Sequence, residues 1–122
     1  MTVTSSIPGD DLVSVAVSGN DTALHLTVAG EVDSSTAPAL RAALDEALDR
    51  APRQVVVDLD AVSFLDSAGL CVLASAHRRA TERGLQLRVL ASGSAVIRPL
   101  QITGLWDLLS VERVDPGTGS AA

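Results

Sequence analysis

Apolar and polar residues alternate along the first third of the chain. Val13, Val15 and Val17 fall on one face of a segment from Leu12 to Val17. After the turn cluster Ser18-Gly19-Asn20-Asp21, Leu24, Leu26 and Val28 alternate with His25, Thr27 and Ala29. A period of two bounded by turn residues predicts a β-hairpin with its first strand at a sheet edge. The period then changes. Leu40, Ala43, Leu44, Ala47 and Leu48 recur at i, i+3, i+4, i+7 and i+8, with Arg41, Asp45, Glu46 and Asp49 between them. This is an amphipathic helix, capped from Ser34, Ser35 or Thr36, with Pro38 in its first turn and Pro52 beyond its end.

Val55 to Leu59 is apolar apart from Asp58 and rich in β-branched residues, as expected of a central strand buried on both faces. An acidic loop from Asp60 to Ser67 and a helix from Ser67 to Arg83 should follow, with Gly84 at the C-terminal cap. Leu85, Leu87 and Val89 predict another strand, and Ser94 to Ile102 a shorter helix that Pro99 should shorten or kink. Leu108 to Val114 reads as the last strand. The order β-β-α-β-α-β-α-β implies an α/β fold, with crossovers and a largely parallel sheet flanked by helices.

At 122 residues the chain suits one domain, burying roughly two thirds of its unfolded surface. Aromatic residues make up only 2 % of a composition that is 47 % hydrophobic, so the core must be aliphatic. A net charge of -6 argues against nucleic acid and anionic membranes as partners. No stretch approaches the roughly 18 apolar residues of a membrane span, and Met1 to Asp10 carries no apolar signal core. Cys71 is the single cysteine, consistent with a reducing cytoplasm. All nine basic residues are arginine. Without lysine there is no P-loop, and a phosphoaspartate receiver, which resembles a pattern with a lysine beside its acceptor, is also disfavoured. Arginine usage and abundant alanine fit a GC-rich bacterial genome.

In open α/β sheets, function gathers at the carboxyl ends of the strands. Two expected loops lie there, one holding Glu31 and Asp33, the other leading to Asp66 and Ser67. Glu31 and Asp33 are either an ordinary solvated loop, with Asp33 capping the next helix, or a recognition patch. Ser67 is either an N-cap, a role Asp66 could equally fill, or a phosphorylation site. A phosphate would add roughly -1.5 to -2 charges at one point. Asp58, Asp60 and Asp66 could be a metal cluster, although Asp58 fits within the strand. Cys71 and His77 lie about 240° apart around a helix and form no nucleophile-base pair. Trp106 reads as packing, and Arg78, Arg79 and Arg83 as a basic edge that is solvated or meets an acidic partner.

Three motifs carry a family resemblance: Gly30-Glu31-Val32-Asp33 before the capped helix, Asp58-Leu59 with Phe64-Leu65-Asp66-Ser67-Ala68-Gly69-Leu70, and Val96, Leu100 and Thr103-Gly104-Leu105. Together they resemble the STAS domain and, within it, the bacterial anti-sigma factor antagonists. The resemblance implies a mixed sheet flanked by helices, with the domain over residues 11–115. The composition of residues 1–10 reads as a flexible lead-in and that of 116–122 as a disordered tail, so this chain is expected to depart from the family in missing its C-terminal helix. It implies a cytoplasmic, non-enzymatic regulator of transcription with no cofactor, working by partner switching. The unphosphorylated form would bind an anti-sigma factor that is also a serine kinase, so releasing a sigma factor. Phosphorylation at Ser67 would end that binding, and a metal-dependent serine phosphatase would restore it. Glu31, Asp33, Ser34, Asp66, Ser67, Ala68, Gly69 and Leu70 would form the partner-binding surface. The alternative is a STAS subunit of a stress-signalling or lipid-transport assembly.

Overall fold

The computed structural model describes residues 13–114 and the backbone of residues 5–6. Six strands form one sheet whose spatial order follows the chain: β1 (Ser5–Ser6), β2 (Val13–Gly19), β3 (Ala23–Val32), β4 (Gln54–Leu65), β5 (Gln86–Ala91) and β6 (Glu112–Arg113). The pairs β1/β2 and β2/β3 are antiparallel, and the three remaining pairs are parallel. Helix α1 (Ala37–Asp49) links β3 to β4, α2 (Ser67–Glu82) links β4 to β5, and α3 (Ser94–Ile102) with α4 (Leu105–Leu108) links β5 to β6. The expected mixed α/β architecture is therefore present.

The hairpin forms as its turn residues direct. Gly19 has φ +112°, and a Cβ there would run into the Ala23 carbonyl, so only glycine fits. The Asn20 side-chain oxygen accepts hydrogen bonds from the Thr22 and Ala23 N–H groups, closing the turn. The first hairpin strand is not at the edge, however. Ser5–Ser6, expected within a loose lead-in, pairs outside β2. The rest of the lead-in and the 116–122 tail lie outside the described residues.

Val15, Leu26, Val28, Val55, Val57 and Val89 are fully buried and pack with Leu40, Leu44 and Leu48 of α1, Leu73 of α2, and Val96 and Leu100 of α3 in one aliphatic core. The alternate sheet positions carry Ser14, Thr27, Asp58 and Arg88, which solvent reaches. Here the expectation of a strand buried on both faces gives way: Val56 is buried, but the Asp58 side chain beside it is partly open and lies 3.7 Å from His25.

Two elements differ more. Strand β4 does not end at Leu59. It continues to Leu65, paired with a β3 that continues to Val32, and Val62 and Leu65 keep pointing inward. Asp60 suggested a loop, but a register shift between Thr27 and Ala29 absorbs the extra residue, and the Asp60 N–H bonds to the Asp58 carboxylate. The predicted strand from Leu108 is instead the helical turn α4, then a left-handed Ser110 (φ +51°), then only two strand residues. Leu105, Trp106, Leu108 and Leu109 have helical spacing, and the Leu109 N–H bonds to the Leu105 carbonyl at 2.8 Å. Pro99 neither kinks α3 to a stop nor shortens it below its expected bounds, and the helix continues to Ile102.

Helices α1 and α2 are tied together near their C-terminal ends. Arg79 bonds to Asp45 and lies 3.7 Å from Asp49, and Arg83 reaches Asp49 at 2.9 Å. The basic edge of α2 thus meets an acidic surface within the same chain.

Candidate functional site

Strands β3 and β4 end side by side, with Glu31 paired to Phe64 and Val32 to Leu65. The chain leaves β3 through a tight turn at Asp33. Its carboxylate accepts hydrogen bonds from the Ser35 and Thr36 N–H groups at 2.9 and 3.1 Å, and from the Ser35 hydroxyl at 2.7 Å. These donors, the Ser35 hydroxyl foremost, hold the Asp33 carboxyl below its ordinary value of 3.8. Thr36 is fully buried. Its hydroxyl donates to the Glu31 carbonyl and accepts from the Asp33 N–H, both at 2.8 Å, pinning the start of α1 to the end of β3. A depressed carboxylate contributes stability that is complete above its unfolded value and fades as pH falls through the folded one. An NMR titration of Asp33 is expected to give a midpoint under 3.8, with the Ser35 and Thr36 amide signals moving at that same midpoint.

The second turn is shorter than the expected loop. Only Asp66 separates β4 from α2, and it is the N-cap. Its carboxylate accepts from the Ala68 and Gly69 N–H groups at 2.9 and 3.4 Å, and its own N–H donates to the Val32 carbonyl at 3.1 Å. The two turns are therefore hydrogen-bonded to each other. With Asp66 as the cap, Ser67 becomes the first helical residue. It is exposed, and among the described residues its hydroxyl has no hydrogen-bond partner. Asp66→Ala is expected to lose about 1 kcal/mol of stability as the cap disappears, whereas Ser67→Ala changes it by under about 0.5 kcal/mol, both read by urea denaturation.

The site residues foreseen from the sequence fall into two groups. Glu31, Ser34 and Ser67 are exposed, and Asp33, Asp66 and Ala68 are half-buried beside them. Gly69 and Leu70 are buried, which corrects their place on the expected contact surface. They lie beneath it and seat the first turn of α2, and a Cβ on Gly69 would stand 2.7 Å from Val32. Glu31 and the preceding Gly30 belong to β3 and not to a loop. A shallow groove of about 340 Å³ between α1 and α2 brings Ser34, Pro38 and Arg41 together with Ala68, Cys71 and Val72. Sequence reasoning placed Arg41 only on a solvated face; its spacing three residues after Pro38 gave no sign that it would border the other helix.

The suggested acidic metal cluster does not assemble. Asp58 lies by His25, Asp60 bonds to Ser92, and Asp66 caps α2. No group of three metal-ligating side chains occurs among the described residues. Among those residues, too, no helix is long and apolar enough to cross a membrane.

The STAS domain family model matches residues 14–121. The chain belongs to the STAS domain family. This STAS domain is 36 % identical over 95 residues to the anti-sigma-F factor antagonist RsfB of Mycobacterium tuberculosis, spanning 78 % of this chain and 77 % of that protein. It is 31 % identical over 104 residues to an anti-sigma-B factor antagonist of Listeria monocytogenes, covering 84 % and 91 %. Among solved structures, an anti-sigma factor antagonist from Mycobacterium paratuberculosis superposes with a TM-score of 0.77 at 33 % identity, over 87 % of this chain and 90 % of that one. Unphosphorylated SpoIIAA, at 18 % identity and a TM-score of 0.71, shares the fold over 82 % and 87 % of the two chains.

Proposed function

We propose that this STAS domain is a cytoplasmic anti-sigma factor antagonist, a binding module and not an enzyme, switched by phosphorylation of Ser67. Unphosphorylated, it binds an anti-sigma factor that is also a serine kinase and so frees a sigma factor. The kinase uses ATP to esterify Ser67, the complex separates, and a metal-dependent serine phosphatase restores the binding form. The observation that carries this reading is the Ser67 hydroxyl: exposed, uncommitted, and placed at the opening of a helix whose cap is supplied by its neighbour. The names of the mycobacterial and Listeria relatives support the choice of an anti-sigma factor as partner.

Around Ser67 the docking surface consists of Glu31, Asp33, Ser34, Asp66 and Ala68, with Gly69 and Leu70 supporting it from below. The positive end of α2 lets a phosphate sit at Ser67 without unfolding the helix. Asp66, next in the chain, adds to its negative field. The switch therefore acts on docking and leaves the fold intact.

The direct test is phosphotransfer. The protein is incubated with purified serine-kinase anti-sigma factors and labelled ATP, and the label is mapped. Incorporation at Ser67, abolished in Ser67→Ala, is the expected result. Label on another residue, or none with any kinase alongside binding that Ser67→Asp leaves unchanged, would overturn the proposal. In that event a subunit role in a stress-signalling or lipid-transport assembly is the reading to pursue.

A further inference from the structure

A second groove opens between the last residues of β4 and α3, with a volume of about 570 Å³. Phe64, Leu65, Pro99 and Ile102 give it an apolar lining. Phe64 is 46 % exposed and Ile102 77 %, so two large apolar side chains face water across one depression. Scattered exposed apolar residues need no explanation, but a pair flanking a concave surface does. Arg98 is the one charged residue in the lining and makes no ion pair among the described residues. Phe64 stands three residues before Ser67 and opposite Glu31, so the groove begins where the Ser67 surface ends.

We propose that this groove receives an amphipathic helix of the partner protein, its apolar side chains seated between Phe64 and Ile102 and a carboxylate placed against Arg98. As an extension of the Ser67 surface, this rests on the docking role proposed above. Charge selects the occupant. The chain carries a net charge of -6, which repels an anionic lipid surface, yet the groove offers an unpaired cation. A two-fold pairing of groove on groove would put two guanidiniums into one interface with no carboxylate in either lining to pair them. A foreign helix with an acidic residue among its apolar ones satisfies both the lining and the guanidinium.

Two measurements on the full chain test this. In the first, 14-residue helical peptides with leucines at i, i+3 and i+7 and either a glutamate or a lysine between them are titrated against labelled protein by NMR. The glutamate peptide is expected to bind at least fivefold more tightly, to move the amides of Ala95, Arg98 and Ile102, and to lose that advantage on Arg98→Glu. Equal affinities, shifts elsewhere, or a wild-type dimer that Ile102→Glu dissociates in the ultracentrifuge would overturn the proposal. In the second, affinity for the anti-sigma factor is measured. Ile102→Glu, with an unchanged circular dichroism spectrum, is expected to weaken binding at least tenfold, while Asp21→Asn, exposed in the turn at the opposite end of β3, does not. If Ser67→Asp weakens binding and Ile102→Glu does not, the groove proposal fails and the Ser67 switch stands. If the peptides behave as expected but no anti-sigma factor binds, the groove stands and the functional reading fails.

Discussion

Phosphorylated at Ser67, the protein is expected to bind its anti-sigma factor roughly 100-fold more weakly than the unmodified form, a change of about 2.7 kcal/mol. On the proposed reading a docked partner would bring its surface against the first turn of α2, where the ester would add roughly -1.5 to -2 charges. Asp66 adjoins that point and Glu31 and Asp33 lie on the neighbouring strand end and turn. A partner shaped and charged to fit the free hydroxyl would have to desolvate the phosphate without having groups to pair with it, and such mismatches cost several kcal/mol. Ser67→Asp supplies one charge and no tetrahedral oxygens, so its loss should be smaller, about tenfold. Isothermal titration with the phosphorylated and unmodified proteins provides the measurement. Raising the salt should recover part of the loss if charge is responsible, because exposed charges are screened over about 10 Å at 0.1 M. A phosphorylated form that binds within threefold of the unmodified one contradicts the switch.

The second large effect is expected at Gly69. Its backbone is helical and needs no special conformation, so the requirement for glycine is one of space alone. A Cβ would collide with the Leu65 side chain and stand 2.7 Å from a Val32 methyl. Leu65 can turn its end aside, but Val32 is β-branched, fully buried, and fixed in β3. Gly69→Ala recovers about 1 kcal/mol of helix propensity but overpacks the junction, for a net loss of about 1–2 kcal/mol. Gly69→Val has little propensity to recover and should lose about 3 kcal/mol. Urea denaturation measures both, and Val32→Ala in the Gly69→Ala background should restore part of the loss, since touching residues couple by about 0.5–3 kcal/mol. A stabilising Gly69→Ala would show that α2 does not approach β3 this closely. The same overpacking should slow phosphorylation, because the first turn of α2 carries Ser67.

Much of this was legible in the chain. The 3.6-residue periodicity between Leu40 and Leu48 placed α1, and the motif from Asp66 to Leu70 placed the opening of α2, because capping chemistry and hydrophobic spacing are local. Asp60 misled because acidity marks loops only on average; here the residue sits at a bulge in a strand whose neighbour runs equally far. The run from Leu108 to Val114 misled because its apolar residues suit either a strand or the end of a helical turn until packing decides. The choice between Asp66 and Ser67 as cap depended on one backbone angle that composition does not encode. The groove between β4 and α3 was invisible because Phe64 and Ile102 are far apart in sequence and neither marks a shared surface by its own spacing.

The two turns at the site share their hydrogen bonds: the Asp66 N–H holds the Val32 carbonyl, and the Thr36 hydroxyl holds the Glu31 carbonyl. These bonds join the end of β3 to the openings of both α1 and α2. On the proposed reading, a phosphate at Ser67 would change the surface potential of this junction, and the tempo of switching would belong to the enzymes that add and remove it.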